Sequence, residues 1–517
     1  TNKMVFKGNI DYLNENEICI RLRATQQNSS VLPSDSLYAI EHDAMDTTFR
    51  SMYQGLYAFM SATKERRDLL LFQREPQFDV ALDKQIAEAA DDFTRIALKA
   101  KAAKDYFLLV GPPGTGKTSC ALKKMVETFY KEEGAQILLL SYTNRAVDEI
   151  CKALSSIRPE VDFIRVGSEL SCDENYRDHL IENELATCMR RTEVCERINR
   201  CRILVGTVAS ISGKPELFRL KHFDVAIVDE ATQILEPQLL GILCAKGENG
   251  KEGVGKFILI GDHKQLPAVV LQNSEQSEVY DEALSAVGLK NLKDSLFERL
   301  YRTARQHTDA HRTYDMLCRQ GRMHPEVALF ANQAFYEGRL LPVGLPHQLE
   351  DSGNINRLSF YPSQPEPMGS SAKTNHSEAK IAARLAATVY KEHSEAFDAS
   401  RTLGIITPYR SQIALVKKEI EALGIPELNQ ILIDTVERFQ GSERDVIIYS
   451  FCVNYPYQLK FLSNLTEEDG ILIDRKLNVA LTRARKQMLL TGVPTLLERN
   501  PLYKSLLKLI ESLRNIA

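Results

Sequence analysis

The sequence predicts an α/β protein with two parallel sheets, each flanked by helices, and a smaller β-rich segment at the start. Three observations lead to this fold class. Short apolar runs that end in small or polar residues alternate with helical stretches between residues 106 and 260. The same pattern returns between residues 403 and 490. Such runs are typical of parallel strands buried on both faces. A glycine-rich loop follows the first strand of the first set, and the second set has no equivalent loop.

Composition agrees with a soluble protein of several domains. The chain has 517 residues, of which 44% are hydrophobic and 26% charged, and single cores stop growing near about 250–300 residues. The net charge of −4 is compatible with nucleic-acid binding, because an acidic protein can carry a basic groove. No apolar run in the sequence approaches the roughly 20 residues of a membrane helix. We therefore expect an intracellular protein, cytoplasmic, nuclear or in the nucleoid, without a membrane partner.

The ten cysteines favour a reducing compartment and not a metal centre. They are scattered, and no C-x-x-C pair occurs in the sequence. The tightest group, Cys188, Cys195 and Cys201, lacks the spacing of a zinc site. Free thiols are the expected state.

The β-rich and helical segments come before the first sheet. Residues 1–46 alternate as strands between turn residues, which predicts a small β-barrel or part of one. Residues 47–103 carry apolar residues at helical spacing, and we expect two long helices that form a stalk. The chain starts at Thr1, already within a strand pattern. We therefore expect it to be the C-terminal part of a longer protein.

The two α/β regions fill the rest of the chain. We expect the first at 104–318, with a charged helical insertion at about 169–200, and the second at 319–517. Residues 344–376 are rich in Pro, Ser, Gly and Asn, and are expected to be a long loop.

A phosphate-binding loop is the most specific motif. Residues 111–118, GPPGTGKT, have the spacing G-x-x-x-x-G-K-[ST] between a buried strand and a helix. Glycines let backbone N–H groups surround an anion, and the helix N-terminus points its positive dipole at the same place. Lys117 can reach the β- and γ-phosphates, and the Thr118 hydroxyl can bind Mg²⁺. The candidate nucleotide contacts are Gly111, Pro112, Gly114, Thr115, Gly116, Lys117, Thr118 and Ser119.

Two carboxylates, Asp229 and Glu230, follow the apolar run VAIV. A carboxylate at the end of a strand beside the phosphate loop can hold Mg²⁺ through water. The next carboxylate can orient and deprotonate the attacking water. A solvated acidic pair is the alternative, but the four apolar residues that lead into the pair favour the catalytic interpretation.

A further strand end carries an uncharged group for the γ-phosphate. FILIGDHKQLP repeats the plan of a buried strand followed by polar residues, among them Gln265. A glutamine can bond to the γ-phosphate or to the attacking water. It can therefore sense hydrolysis and pass the change on as a loop movement.

Hydroxyl and amide side chains at three other strand ends are candidate contacts to nucleic-acid phosphates. In the alternative interpretation they are turn or N-cap residues, which is common for Ser, Thr and Asn after a strand. These residues are Ser141, Thr143, Asn144, Thr207 and Thr407.

The segment LTRAR contains Arg483 and Arg485, within a stretch of about 473–486 that is expected to be helical. Residues two apart on a helix do not share a face. One arginine can therefore point across a domain cleft to a γ-phosphate, where it would stabilise transition-state charge, while the other packs locally. A surface salt bridge is the alternative for either.

Together these segments resemble superfamily 1 helicases. The resemblance is to the branch that contains the nonsense-mediated-decay RNA helicase and the nuclease–helicase of Okazaki-fragment processing, and it runs from about Lys104 to Val493. It implies two tandem RecA-like domains that hydrolyse ATP with Mg²⁺ while moving 5′→3′ along a single strand. The motifs that carry it are GPPGTGKTS, VDEATQ, GDHKQLP, QGRMHP, ERFQGSERD and LNVALTRAR.

The resemblance implies roles around the nucleotide. Asp229 would support Mg²⁺, Glu230 would be the general base, and Gln265 would contact the γ-phosphate. The phosphates and Mg²⁺ would be bound by Gly114, Gly116, Lys117 and Thr118.

It also implies roles for residues of the second region and for the strand. Arg322 and Arg483 would be arginine fingers that act across the cleft, and Glu443 would contact the ribose. The single strand would lie along Ser141, Thr143, Thr207, Thr407 and Thr435.

Two positions depart from the family pattern around the base. The family usually has a glutamine that reads adenine before the phosphate-loop strand, and the register places Phe93 or Thr94 there. Gln85 could serve only if the helix register differs. The family also commonly has a tyrosine after the glutamine of QGRMHP, where it can stack on the base, and here that residue is Gly321. We therefore expect a loose preference for ATP.

We expect an ATP-dependent helicase or translocase on a single strand, with DNA favoured over RNA because KDYFLLVGPPGTGKT resembles the nuclease–helicase. The same core could instead act as a nucleotide-gated clamp, or as a remodeller of nucleic-acid–protein complexes without processive unwinding. A P-loop ATPase unrelated to nucleic acid is a third interpretation. We expect a nuclease domain before Thr1 in the full protein, and a monomer.

Overall fold

The computed structural model describes residues 6, 8–22, 37–40, 47–270, 272, 274–307, 312–351, 356–367 and 371–514. The chain separates into two compact units, Thr1–Thr47 and Thr48–Ala517. Among the residues of these ranges, no helix is both long and apolar enough to cross a membrane.

The described residues of the first unit form an antiparallel hairpin. Strand β1 (Gly8–Leu13) pairs with strand β2 (Ile18–Leu22), and the Asn14 side chain accepts from the backbone N–H of Glu17 at 2.7 Å in the turn. Residues 37–40, also expected to be a strand, form none in the part of this unit that is described. Much of the predicted barrel falls on residues outside the described ones, so the barrel stays a prediction.

The predicted stalk, residues 47–103, is helical. It contains four short helices and not the two long ones that were expected. The Asp91 carboxylate starts the last helix by accepting from the Thr94 backbone N–H at 2.9 Å, and the Thr63 side chain caps the second. Because apolar side chains of the second and fourth helices belong to the cores of the first sheet, these two helices pack on it. The helices are α1 (Thr47–Ser61), α2 (Lys64–Leu70), α3 (Asp83–Ala87) and α4 (Asp92–Ala102).

The first lobe, as we name it, is a seven-stranded sheet and the helices packed on it. Its strands are β3 (Tyr106–Val110), β4 (Ile137–Ser141), β5 (Phe163–Val166), β6 (Ile203–Thr207), β7 (Phe223–Val228), β8 (Val254–Gly261) and β9 (Tyr314–Met316). They lie in the order β5-β6-β4-β7-β8-β3-β9, and the described pairings are all parallel.

Helices cover both faces of this sheet. The predicted insertion at 169–200 contains two of them and two 3₁₀ turns. The helices of the lobe are α5 (Lys123–Tyr130), α6 (Asn144–Ser155), α7 (Ile181–Glu184), α8 (Arg191–Arg200), α9 (Val208–Ser212), α10 (Glu216–Leu220), α11 (Glu236–Leu243), α12 (Ser274–Ser277), α13 (Glu282–Ala286) and α14 (Leu296–Gln306).

The first lobe has one apolar core on each face of its sheet. Along β3, Leu108 belongs to one core and its neighbours Phe107 and Leu109 to the other. All three side chains are fully buried. This follows from the alternation of side chains along a strand, and it explains why the strands are continuous apolar runs.

The second lobe, named in the same way, is a five-stranded parallel sheet with its helices, a short parallel pair and a hairpin. Its strands are β10 (Arg319–Gln320), β11 (Leu341–Pro342), β12 (Leu358–Pro362), β13 (Leu403–Ile406), β14 (Leu432–Asp434), β15 (Arg444–Ser450), β16 (Leu465–Glu468), β17 (Ile471–Asp474) and β18 (Ala484–Gly492). The sheet order is β12-β18-β15-β13-β14, β10 pairs with β11, and β16 and β17 form the antiparallel hairpin.

Helices again lie on both faces, and Ile447 and its neighbour Ile448 belong to the two opposite cores. The helices are α15 (Pro325–Phe335), α16 (Pro346–Leu349), α17 (His376–Glu392), α18 (Arg410–Glu421), α19 (Val436–Phe439), α20 (Leu459–Leu462), α21 (Arg475–Leu481), α22 (Pro494–Leu497) and α23 (Pro501–Arg514).

Two local predictions in the second lobe were wrong. The expected loop 344–376 contains β12, an edge strand whose partner β18 lies more than 120 residues later. The stretch 473–486 is helical only as far as Leu481, and β18 begins at Ala484 because residues 484–492 pair with β15 and β12. Long-range pairing therefore outweighs the weak strand propensity of Arg, Lys and Gln in this segment. The predicted class, two parallel sheets flanked by helices in tandem RecA-like domains, is confirmed.

Candidate functional site

A cleft of about 2500 Å³ lies between the two lobes, and loops from both line it. The first lobe contributes the phosphate loop and the segments after β7 and β8. The second lobe contributes Arg322, Glu443 and Arg483. Ligands of open parallel sheets bind at the carboxyl ends of the strands, and the cleft lies at those ends.

The phosphate loop has the backbone of an anion cradle. Gly114 and Gly116 both have φ of +74°, which favours glycine. A Cβ on Gly111 would lie 2.8 Å from the Lys117 Cβ, so the loop has no room for a side chain there. The Thr115 hydroxyl, buried, donates to the Pro112 carbonyl at 2.7 Å and braces the turn. The other predicted contacts, Pro112, Thr118 and Ser119, also line the cleft.

Four predicted residues meet at the mouth of this loop. Lys117 Nζ lies 2.7 Å from Glu230 Oε1, and the Thr118 hydroxyl donates to the Asp229 carboxylate. The Gln233 amide donates to Glu230 Oε2 at 3.0 Å. Glu230 has a positive φ of 54°, and such strain in a non-glycine residue clusters at functional sites. The spacing of the motifs therefore brought the expected groups into one cluster.

Burial and opposite charges set the protonation of this cluster. Burial opposes charge on Lys117, but Glu230 and Asp229 outweigh it and raise the Lys117 pKa. Burial and the charge of Glu230 raise the pKa of Asp229 to about 6. For Glu230, burial is outweighed by Lys117, which keeps its pKa below the ordinary range. At neutral pH the cluster thus holds an ammonium on Lys117 and an ionised carboxylate on Glu230.

Gln265 links the two lobes. Its side-chain oxygen accepts from Arg483 Nη2 at 3.2 Å, and its amide nitrogen donates to Asp262 Oδ2 at 2.7 Å. Arg483 also donates through Nε to the Val479 carbonyl at 3.0 Å. Burial, and then the nearby Arg322, lower the pKa of Arg483 to about 9. An anion in the cleft would stabilise this buried guanidinium.

Arg322 lies against the phosphate loop. The backbone N–H of its neighbour Gly321 donates to the Gly114 carbonyl at 2.8 Å, and Arg322 Nε lies 2.6 Å from Glu443 Oε2. Burial opposes ionisation of Glu443, but Arg322 and then Arg485 lower its pKa. Arg485 itself contacts Asp445 at 3.2 Å within the second lobe. Of the two arginines in LTRAR, Arg483 therefore reaches across the cleft and Arg485 packs locally.

Apolar side chains line part of the cleft beyond the phosphate loop. Phe93 is one of them, and a Cβ on Gly116 would lie 3.6 Å from the Phe93 ring. In the second lobe, a Cβ on Gly321 would lie 3.2 Å from Leu345 and 3.3 Å from Val343. Gln85 is exposed on α3 and is not among the residues that line the cleft.

Comparisons with known proteins agree with this geometry. Family models described as an AAA domain match residues 85–194 and 183–273, and another described as an AAA domain matches residues 292–495. The chain is 27% identical over 562 residues to the DNA replication ATP-dependent helicase/nuclease DNA2 of Bos taurus, covering 98% of this chain and 48% of that protein. It is 26% identical over 482 residues to the DNA polymerase alpha-associated DNA helicase A of Saccharomyces cerevisiae, covering 79% of this chain and 65% of that protein.

These matches support a superfamily 1 helicase of the branch predicted from the sequence. The chain spans about half the length of the cattle relative it matches. Among solved structures, the complex of arterivirus nonstructural protein 10 (helicase) with DNA aligns with a TM-score of 0.37 at 16% identity, over 77% of this chain and 62% of that chain.

The structure buries three of the residues that were predicted to lie along the single strand. Ser141 and Thr407 have no exposed surface, and the Ser141 hydroxyl donates to the Asp229 carbonyl at 3.1 Å. Neither side chain reaches a strand on the surface, because both are covered by their own lobe. Thr207 is also buried and accepts from the Ser210 backbone N–H at 3.0 Å. The N-cap interpretation therefore holds for Thr207.

Three other predicted contacts remain accessible on the two lobes. Thr143 is exposed and also accepts from the Ala146 backbone N–H at 3.2 Å, as the N-cap of α6. Asn144 and Thr435 are half-buried. Thr143 and Asn144 belong to the first lobe and Thr435 to the second, so a strand that contacted all three would lie across both lobes.

Sequence reasoning missed a buried polar network between the two lobes. The Tyr336 hydroxyl donates to Asp262 Oδ2 at 2.6 Å, and Asn478 Nδ2 donates to the Tyr336 oxygen at 2.9 Å. Asn478 also donates to the Lys264 carbonyl at 2.6 Å. These residues come from three distant segments with no shared motif spacing. The only sequence signal was Asp262 itself, which lies beside Gln265 in GDHKQLP.

A second missed contact joins the β16–β17 hairpin to the first lobe. Glu468 lies 2.8 Å from His263 Nε2 and 2.9 Å from Arg305 Nη1, and Asp469 lies 2.6 Å from Arg305. The hairpin is thus held by charges beside the segment that carries Gln265.

Proposed function

We propose that this chain is an ATP-driven motor that moves along single-stranded DNA in the 5′→3′ direction and unwinds duplex. One observation carries the proposal. Lys117 and Glu230 of the first lobe face Arg322 and Arg483 of the second across one cleft, and Gln265 is bonded to Arg483 between them. The division into domains 104–318 and 319–517 is part of the proposal.

The cleft suits the triphosphate and Mg²⁺ that family membership implies. The glycine cradle leaves backbone N–H groups free of side chains, and Lys117 lies within it. The Thr118 hydroxyl and the Asp229 carboxylate, in contact with each other, are the oxygen donors that Mg²⁺ prefers. Bound Mg²⁺ would neutralise charge on the β- and γ-phosphate oxygens. We assign Glu443 to the ribose, and the apolar part of the cleft with Phe93 to the base.

Hydrolysis is assigned to side chains of both lobes. Glu230 is ionised at neutral pH and accepts a proton from the attacking water. Lys117 moves from Glu230 to the β- and γ-phosphates, which frees the carboxylate for that role. Arg322 and Arg483 stabilise the charge that develops on the γ-phosphate, and this requires the second lobe to be in place.

Movement on the strand follows from the same contacts. Gln265 bonds to Arg483 of the second lobe and to Asp262 of the first, so a change at the γ-phosphate alters how the lobes are held together. Thr143 and Asn144 on one lobe and Thr435 on the other would grip the strand alternately.

The preference for DNA is supported by the relatives, which are described as a DNA replication helicase/nuclease and a DNA helicase. We extend this to a full-length protein that joins the motor to a nuclease activity and acts inside the cell as a monomer. Light scattering on the purified full chain tests the monomer.

A strand-displacement assay tests the proposal. The substrates are a DNA duplex with a 5′ overhang, one with a 3′ overhang, and RNA versions of both. We expect ATP-dependent unwinding of the 5′-tailed DNA only. ATP turnover that the strand stimulates without displacement would support the clamp or remodeller instead. Turnover that neither DNA nor RNA changes would contradict the proposal.

A further inference from the structure

Gln458 gathers three loops at the carboxyl edge of the five-stranded sheet. Its Nε2 donates to the Ala372 carbonyl at 2.6 Å and to the Tyr409 oxygen at 3.2 Å. Its Oε1 accepts from the backbone N–H groups of Asn454 and Tyr455, both at 2.9 Å. The loop before α17, the loop after β13 and the loop after β15 therefore meet at one buried side chain.

A network of buried amides holds these loops from below. Asn375 Nδ2 donates to Asn454 Oδ1 at 2.9 Å, and the Asn375 backbone N–H donates to Gln412 Oε1 at 2.8 Å. Gln412 Nε2 in turn donates to the Asn375 carbonyl at 3.0 Å. Because buried amides that satisfy one another fix local geometry, the surface above them is ordered before any ligand binds.

Two tyrosines on this fixed surface present aromatic faces. The rings of Tyr455 and Tyr457 stack with centroids 5.8 Å apart and planes 13° from parallel. The Tyr457 side chain is 55% exposed. On the next helix, α20, Phe461 is 65% exposed. Exposed aromatic side chains that lie close together on one surface mark a candidate binding site.

Each of the three loops also brings one cation to the same edge. Lys373 follows Ala372, Arg410 follows Tyr409, and Lys460 lies three residues after Tyr457. All three are exposed, and in the described ranges no ion pair joins them to a carboxylate. Glu366, on the loop before α17, lies 3.1 Å from the His376 ring. The three exposed cations therefore add positive charge to the segments around the aromatic rings.

We propose that this surface, which we name the tyrosine platform, binds single-stranded DNA. At least one base stacks on Tyr457, and the cations Lys373, Arg410 and Lys460 contact the phosphates on either side. The proposal rests on the proposed function, and it adds residues of the second lobe that no motif predicted.

The chemistry favours this occupant over a duplex or a protein. Aromatic faces beside a basic track are the usual way to hold a single strand without reading its sequence, because every base has a π-face. Bases of a duplex are already stacked on one another and cannot reach the rings. A motor must release and rebind successive bases whatever their sequence, which stacking permits and base-edge hydrogen bonds do not.

Fluorescence anisotropy with labelled oligonucleotides tests the platform. The probes are an oligothymidylate and a strand of the same length that carries abasic positions. We expect Tyr457→Ala to weaken binding of the oligothymidylate by about fivefold to a hundredfold, and Tyr457→Phe to bind like the parent protein. The parent protein should lose affinity for the abasic strand, whereas Tyr457→Ala should not distinguish the two strands. Tyr57→Ala, which truncates a 73% exposed tyrosine on α1, is the matched control and should bind normally.

Salt dependence separates stacking from phosphate contacts. Lys460→Ala should reduce the slope of log K against log salt by about 0.7, and Tyr457→Ala should leave the slope unchanged. If the parent protein binds the strand and Tyr457→Ala binds equally well, the platform is overturned and the proposed function stands. If the parent protein binds no single strand, both are overturned.

Discussion

The Tyr336 hydroxyl donates a hydrogen bond of 2.6 Å to the Asp262 carboxylate, and this bond joins the second lobe to the segment that carries Gln265. Asp262 accepts from Gln265 through the same oxygen. Both Tyr336 and Asp262 are 1% exposed. In a buried network, the Tyr336 donor fixes the position of the Asp262 carboxylate, and the carboxylate in turn fixes the Gln265 side chain. Tyr336 is therefore a positioning residue for Gln265 and, through it, for Arg483.

Removing this hydroxyl should affect turnover more than substrate binding. We expect Tyr336→Phe to lower kcat for ATP by about tenfold or more, the range for one hydrogen bond to a charged group, with KM changed less than about twofold. Steady-state kinetics with saturating single-stranded DNA measures both values.

The matched control is Tyr503→Phe. Tyr503 is also buried, and its hydroxyl donates to the Asp474 carboxylate at 2.9 Å within the second lobe. This variant should lose a similar amount of stability and keep its kcat. Equal kcat values for Tyr336→Phe and the parent protein would remove the positioning role.

The acidic cluster gives the second prediction. We expect Glu230→Gln to bind ATP but to hydrolyse it about 10²–10⁴-fold more slowly, the usual contribution of a general base. Lys117→Ala should instead lose strand-stimulated hydrolysis together with nucleotide affinity. Isothermal titration with ATP and single-turnover hydrolysis separate the two effects. Normal turnover in Glu230→Gln would contradict the general-base role.

The apolar part of the cleft leads to a third prediction. Phe93, Val343 and Leu345 have no side-chain polar atom with which to read a base edge. We therefore expect turnover of GTP, CTP and UTP within about tenfold of ATP, since loss of discriminating hydrogen bonds removes the large selectivity they give. Competition of each nucleotide against ATP is the measurement. Rejection of CTP by several orders of magnitude would show that another polar group reads the base.

Much of the candidate nucleotide site could be predicted from the sequence, because its residues belong to short motifs. A phosphate loop, a strand ending in Asp229-Glu230 and one ending near Gln265 are each recognisable within about ten residues. For Arg483 and Arg485 the spacing predicted only that one of the two reaches across the cleft, and the family resemblance assigned that role to Arg483. The helix expected there is a helix end followed by a strand.

The parts that could not be predicted depend on tertiary contact. Tyr336 bonds to Asp262 from 74 residues further along the chain, and Asn478 bonds to the Lys264 carbonyl from 214 residues further along. No local pattern encodes either contact. The sequence also did not show which of the hydroxyl side chains at strand ends are buried. Thr143 and Thr407 both follow an apolar strand, yet the first is exposed and the second is fully covered.

A fourth prediction concerns pH and the network beneath the tyrosine platform. Burial raises the pKa of Glu378 to about 7, against the bonds it accepts from Cys452 N–H, Ser450 and Ser363. The folded protein thus holds this proton to a higher pH than the unfolded chain does. Its contribution to stability is fully present below the ordinary glutamate pKa, and it is lost as the pH rises through about 7.

Thermal unfolding between pH 5 and pH 8 checks this sign. We expect Glu378→Gln to remove a pH-dependent loss of up to about 3 kcal/mol over that range, taking about 1.4 kcal/mol for each pH unit between the two pKa values. Glu392→Gln, at the exposed end of the same helix, should keep the parent pH profile. If Glu378→Gln and the parent protein show the same dependence of stability on pH, a group other than Glu378 is responsible for it.

The central claim is that a single strand drives ATP hydrolysis that arginines of the second lobe complete. The direct measurement is ATP turnover of the parent protein and of Arg483→Ala, each with and without single-stranded DNA. An arginine finger is worth about 10³–10⁵ in turnover. We predict strong stimulation of the parent protein by the strand, and a loss of at least about a thousandfold in Arg483→Ala with nucleotide affinity retained. Parent turnover that ignores the strand, or an Arg483→Ala variant that turns over normally, would contradict the account.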